Sequence, residues 1–134
     1  MRLQIHSIPL IVHTNIQDEA LGPPAFYFCG KRFTRTDFGL RTKRGLNLQC
    51  SHWEPVERSS DRIPVVIYMH GNSSARVEVL PQLSYLLSLG LAVFAFDFAG
   101  SGKSDGEYVS LGYYEREDLM VRLLFICSFE IRVW

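Results

Sequence analysis

The chain has 134 residues, of which 47% are hydrophobic, 21% charged and 13% aromatic, and its 14 Lys and Arg balance 14 Asp and Glu. That is globular composition, and it excludes a disordered tail, a collagenous chain and a polybasic nucleic-acid arm. One ordinary domain runs to roughly 100 to 200 residues, so the length holds one core, or part of one, and leaves no room for a second.

Charge is spread unevenly along the chain. Lys31 to Arg62 holds eight basic residues against four acidic ones, and Asp97 to Asp118 holds six acidic against two basic. Both stretches read as solvated faces, because nucleic-acid binding would need basic residues gathered on one surface with stacking aromatics, and no such motif is present. Cys29, Cys50 and Cys127 are an odd number, far apart and in no CxxC pair. They read as small buried apolar groups in a reducing compartment, not as a disulfide framework or a metal site. Met1 to His13 is too short and too interrupted by polar residues for a membrane span, and it lacks a signal-peptide h-region and cleavage site. The expectation is a cytoplasmic chain with no membrane span.

Residues 1–30 show no steady period and contain Gly22-Pro23-Pro24, which predicts an irregular lead-in to a partial domain over 31–134. From Phe33 to Phe38 the residues alternate, Lys43-Arg44-Gly45 makes a turn, and Leu46, Leu48 and Cys50 alternate with Asn47, Gln49 and Ser51. That pattern predicts a half-buried antiparallel hairpin. Glu54 to Arg62, polar and containing Pro55, predicts a surface loop. Pro64 to Met69 is an unbroken apolar, β-branched run that predicts a central parallel strand covered on both faces. Ala75 to Leu89 carries Val79, Leu80, Leu83, Leu86 and Leu87 near helical spacing, with Ser73 or Ser74 as N-cap, or else Pro81 at the first helical position, and Gly90 just past the end. Leu91 to Phe98 predicts a second parallel strand, completing a βαβ unit before the glycine-rich stretch 99–106. A last helix is expected from Tyr113, with Glu115, Glu117 and Asp118 in its first turn, as the helix dipole favours, and Leu119, Leu123 and Ile126 on one face.

Gly102-Lys103-Ser104 invites a phosphate-loop reading, but the position five before Gly102 is Asp97 and not Gly, and Gly106 and Gly112 interrupt the helix whose N-terminus would complete an anion site. No nucleotide, metal or organic cofactor is expected. His70-Gly71-Asn72-Ser73-Ser74 lies at the C-terminal end of the first parallel strand, where open α/β sheets bind ligands. It is followed at fixed distance by Phe96-Asp97-Phe98-Ala99-Gly100-Ser101-Gly102-Lys103-Ser104-Asp105-Gly106-Glu107 and by Ser110-Leu111-Gly112 with Glu115, Asp118 and Leu119.

With these linked motifs, from about Phe26 to Leu119, the chain resembles the α/β-hydrolase superfamily, and more narrowly its serine aminopeptidase-like or Bem46-like eukaryotic members. The resemblance implies the N-terminal part of a mostly parallel sheet flanked by helices, and hydrolysis of a small ester, thioester or amide by a Ser, Asp, His triad in that chain order. It implies that the backbone N–H of Asn72 serves the oxyanion hole; beside that, His70 and Gly71 read as residues that shape the loop, and Asp97 as a strand-end group that holds the glycine loop. No GxSxG occurs, and His6, His13, His52 and His70 all lie at or before the oxyanion loop, so the family's triad order is not completed within this chain. A rearranged triad of His70, Asp97 and Ser101 is conceivable in principle, since unrelated folds use other orders. The structural roles of His70 and Asp97 are the better reading. Cys50 and His52, two apart on one strand face, read as packing.

From about Met120 the resemblance fades, and the chain is expected to stop before the nucleophile elbow and to be inactive by itself. The alternative is a non-catalytic interaction or regulatory fragment of a longer hydrolase, with an unknown partner.

Overall fold

The computed structural model describes residues 18–128. Its elements are a 3-10 turn at Asp18–Leu21, strands β1 (Ala25–Phe28), β2 (Lys31–Arg41), β3 (Asn47–Pro55) and β4 (Val65–Met69), a 3-10 turn at Arg76–Val79, helix α1 (Leu80–Ser88), strand β5 (Ala92–Phe96) and helix α2 (Glu115–Ser128). The strands form one sheet in the order β1-β2-β3-β5-β4. The first three pair antiparallel, β3 pairs antiparallel with β5, and β4 runs parallel to β5.

Alternation sorts the side chains to two faces. Arg35 lies opposite Trp53, and Trp53 opposite Val93. On that face Phe33, Trp53, Val93 and Ala95 form a core with Leu21, Val79, Leu83 and Leu87, which is how the 3-10 turn and α1 cover it. The residues between them, Cys50, Phe94 and Phe96, pack on the opposite face with Phe38, Leu40, Val65, Ile67 and Phe98. All five residues of β5 are buried, because this strand has neighbours on both sides and side chains packed on both faces.

Several expectations change. Ala25–Phe28, inside the stretch read as irregular, forms β1 and pairs with β2, an assignment that four residues beside Pro23-Pro24 are too short to signal by period. β3 extends through Pro55, and the surface loop begins after it. The apolar run Val65–Met69 is a strand, but an edge one: among the described residues β5 is its only neighbour, and most of it is half-buried. An apolar run reports side chains that favour burial and is silent on how many strands flank the backbone; among the described strands β5, between β3 and β4, is interior and β4 is not. Neither Ser73 nor Ser74 caps α1. The N-cap is Val79, with no side-chain cap and Pro81 in the first turn, where a missing N–H costs nothing.

The two charged stretches are not simply solvated faces. Arg35 is buried, donating 2.9 Å to Asp37 and 2.6 Å to the Gly22 carbonyl. Asp97 and Asp118 are 1% and 0% exposed. Asp118 takes a hydrogen bond from Arg44 at 2.9 Å and one from the Ala99 N–H at 3.3 Å. The Arg44 guanidinium also lies 4.2 Å from the ring centre of Tyr114. One arginine in the β2–β3 turn thus ties the start of α2 to the sheet.

Candidate active site

At the C-terminal ends of β4 and β5 two loops meet, 70–75 and 97–107, and buried polar groups lash them together. His70, 7% exposed, accepts the Phe98 N–H on Nε2 at 3.0 Å. That bond leaves the proton on Nδ1, which donates to the Gly71 carbonyl at 2.8 Å. The imidazole also meets the Phe98 ring edge-on, 5.0 Å between centres. Both ring nitrogens are therefore spent on backbone.

Asp97 reciprocates from the other loop. Its Oδ1 accepts the Arg76 N–H at 2.6 Å, and its Oδ2 accepts the Lys103 N–H at 3.0 Å and the Arg76 guanidinium. Arg76, itself 5% exposed, also donates 3.0 Å to the Ser51 hydroxyl, which donates 2.6 Å to Asp37. A chain of charges and one hydroxyl, exposed at Asp37 and buried from Ser51 to Asp97, thus crosses the sheet from β2 to the end of β5. A buried ion pair is held when further hydrogen bonds satisfy it, and this one is supported on both sides.

The glycine loop is built inward. Ser104 donates its hydroxyl to the Asp97 carbonyl at 2.6 Å and receives the Gln49 N–H at 2.8 Å. Asp105 exchanges bonds with Asn47, its N–H to the Asn47 carbonyl at 2.9 Å and its carboxylate to the Asn47 N–H at 2.8 Å. The N–H groups of Gly100, Ser101, Lys103 and Ser104 are taken by Asp105, Phe98, Asp97 and Ser101. A phosphate loop needs such groups turned outward, and in this loop they are consumed. Gly100 has φ +77° and a Cβ there would come 2.6 Å from the Tyr108 carbonyl oxygen; Gly102, at φ +53°, would drive a Cβ into the Asp97 carboxylate.

The loop after β4 is short. Gly71 gives its N–H to the two oxygens of Glu78 at 3.1 and 3.2 Å, and Tyr68 donates to the same carboxylate at 3.1 Å. The Ser74 hydroxyl bonds it as well, and this bond above all, then those of Gly71 and Tyr68, hold the Glu78 carboxyl below its ordinary value against the opposing effect of burial. Asn72 follows, exposed, with no hydrogen-bond acceptor on its N–H among the described residues. Ser73 takes φ +59° to close the turn.

Ser101 is 4% exposed, yet the groups needed to activate it are engaged elsewhere: His70 is bonded to backbone at both nitrogens and Asp97 to Arg76 and Lys103. No hydrogen bond joins His70, Asp97 and Ser101 to one another among the described residues, so they form no relay. Cys50 is buried as expected and bonds the Leu48 carbonyl, whereas Cys29, expected buried, is exposed in the turn between β1 and β2; burial pushes the His52 imidazole down. Arg76, Glu78 and Asp118 are not among the site residues that the sequence suggests, although Arg76 and Glu78 directly follow the loop. Among the described residues no His, Cys, Asp and Glu cluster is arranged to hold a metal ion. No described helix is long and apolar enough to cross a membrane.

No protein-family model matches the chain. Among solved structures it is similar to the esterase Pf2001 of Pyrococcus furiosus, with 32% identity and a TM-score of 0.58 over 72% of this chain and 37% of that one. It is similar as well to an α/β serine hydrolase homologue of Coxiella burnetii, at 27% identity and TM-score 0.54 over 69% of this chain and 45% of that one. An acetyl xylan esterase from Paenibacillus sp. R4, 22% identical with a TM-score of 0.56, covers 78% of this chain and 40% of its own, and shows the fold alone. The chain thus spans less than half the length of each. Its fold is the N-terminal part of an α/β-hydrolase fold: an antiparallel hairpin leading into parallel strands, with flanking helices.

Proposed function

We propose that these residues are the N-terminal portion of a serine hydrolase of the serine aminopeptidase-like or Bem46-like kind, cleaving a small ester, thioester or amide, with Asn72 donating its backbone N–H to the oxyanion. The observation that carries this reading is the peptide between Gly71 and Asn72. Its carbonyl is held by His70 Nδ1 at 2.8 Å. In a planar trans peptide the N–H points away from the carbonyl, so the bond that fixes one end aims the Asn72 N–H in the opposite direction. A donor fixed in this way meets a developing oxyanion without reorganising.

The nucleophile and the base belong, on this reading, to a longer form of the protein that continues past Trp134, and the 134-residue chain does not turn over esters alone. It is expected to take no label from a fluorophosphonate probe and to hydrolyse short p-nitrophenyl esters far more slowly than the extended protein, since an oxyanion site without its triad keeps only a small part of the full catalysis. Labelling at Ser101 or Ser73 overturns this. The positive test is a transcript that continues into GxSxG and a later His, with the extended protein labelled at that Ser. In it, Asn72→Pro removes the donor and slows turnover by the equivalent of about 2.7 to 4 kcal/mol, while Asn72→Ala keeps the N–H and most of the rate. Equal rates for the two variants remove Asn72 from the site.

A further inference from the structure

We propose that Glu78 is the positioning residue of the turn after β4: its carboxylate takes the Gly71 N–H and so leaves the Asn72 N–H as the one backbone donor that the Gly71-Asn72 pair presents outward. The functional half of this inference rests on the oxyanion reading of Asn72. Two consecutive peptides are fixed by two different side chains. His70 Nδ1 holds the Gly71 carbonyl, and with it the peptide that carries the Asn72 N–H. Glu78 holds the Gly71 N–H, and with it the preceding peptide. A loop fixed at only one of these peptides could rotate about Gly71, where no side chain restricts the backbone.

Glu78 is suited to the task. It sits in the 3-10 turn directly after the loop, and its donors come from the strand before the turn, Tyr68, from the turn itself, Gly71, and from beyond the left-handed Ser73, at Ser74. The bonds from Tyr68 and Gly71 are long, at 3.1 to 3.2 Å, but a charged acceptor strengthens each relative to a neutral one. The carboxylate is therefore a staple across both ends of the loop. It also has a consequence for recognition: an incoming oxyanion finds the Gly71 N–H already occupied by an anion and must use its neighbour.

The test is nuclear magnetic resonance of the full chain, following the Gly71 and Asn72 amides through an acid titration in wild type, Glu78→Gln and Glu78→Ala. The ionisable groups facing the carboxylate are the Tyr68 phenol and the His70 imidazole. The phenol is pushed further up by burial and by Glu78, and so stays protonated throughout. The imidazole is followed by its own ring resonances, which separates it from Glu78. The wild-type Gly71 amide proton should move upfield as pH falls below the ordinary glutamate value, and this movement should be absent in Glu78→Gln, whose amide oxygen still accepts the bond. In Glu78→Ala the Gly71 amide should exchange with solvent at least about tenfold faster, the change that loss of one hydrogen bond to a charged group allows. A wild-type Gly71 amide indifferent to acid, or one as well protected in Glu78→Ala as in wild type, overturns the proposal. Should Glu78→Ala fail to fold, the contrast between wild type and Glu78→Gln decides alone. None of these readouts involves catalysis, so a confirmed staple beside an Asn72→Pro variant that turns over as fast as Asn72→Ala in the extended enzyme would sink the oxyanion reading and leave the staple standing.

Discussion

Gly102 and Gly22 share a left-handed backbone, φ +53° and +76°, but not a neighbourhood: nothing lies within 4 Å of a Cβ placed at Gly22, whereas one at Gly102 meets the Asp97 carboxylate. Gly22→Ala should therefore cost only the left-handed penalty of about 1–2 kcal/mol. Gly102→Ala should cost about 1–3 kcal/mol more, because the carboxylate it displaces is bound on two sides. The difference between the two urea-unfolding midpoints checks this, and equal midpoints would mean that the glycine loop moves aside freely. Glu115 offers a second test. Burial pushes its carboxyl up, but bonds from the Ser110 hydroxyl and N–H, and from the Gly112 N–H, outweigh that and leave it below its ordinary value of 4.5. A carboxylate lowered by folding contributes stability that is present above the unfolded value and is lost as pH falls through the folded one. Wild type should thus lose more of its urea midpoint than Glu115→Gln does when the pH is taken from neutral to below 4.5. The sequence made Glu115 and Asp118 visible as acidic residues in a first helical turn. It could not separate the one that closes the preceding turn from the one buried under Arg44, since both satisfy the helix dipole equally well.

At the scale of elements, the ends of β4 and β5 are joined by reciprocal bonds, His70 from one loop to Phe98 and Asp97 from the other to Arg76. Strand, helix and strand were legible because apolar side chains repeat with the period of each element, and the parallel pairing of β4 with β5 follows from a helix between them. The Arg76 contact was not legible. A single buried cation at the start of a 3-10 turn leaves no period, and its partner lies 21 residues away across the sheet. Leaving either charge buried alone is expensive, so Arg76→Met and Asp97→Asn should each destabilise the chain by about 3–5 kcal/mol. The double variant removes both charges together and should cost clearly less than the sum. Urea unfolding of the four proteins gives the coupling directly. Additive losses would show that each residue is held by its backbone partners and not by the other's charge.

For the molecule as a whole, the exposed feature with the largest consequence is the outer side of β4. Among the described residues β5 is its only strand neighbour, and the strand Val65–Met69 contains no charge and no proline. Natural sheets avoid such edges, because unpaired N–H and C=O groups recruit a strand from another chain. The 134-residue chain should therefore self-associate in a concentration-dependent way. The place to interrupt this follows from the packing. Ile67 lies opposite Phe94 in the register and packs into the aromatic face with Phe96, so a lysine there would confuse lost association with a damaged core. Met69 is the only exposed residue of the strand, at 51%. Met69→Lys places a charge at the open edge while leaving both cores intact, and charged edge residues oppose edge-to-edge pairing. Size-exclusion chromatography with light scattering should show wild type moving to larger mass as concentration rises and Met69→Lys remaining a monomer, with the same cooperative thermal transition in both when dilute. A wild-type chain that stays monomeric at every concentration would mean that this edge is already covered within the chain.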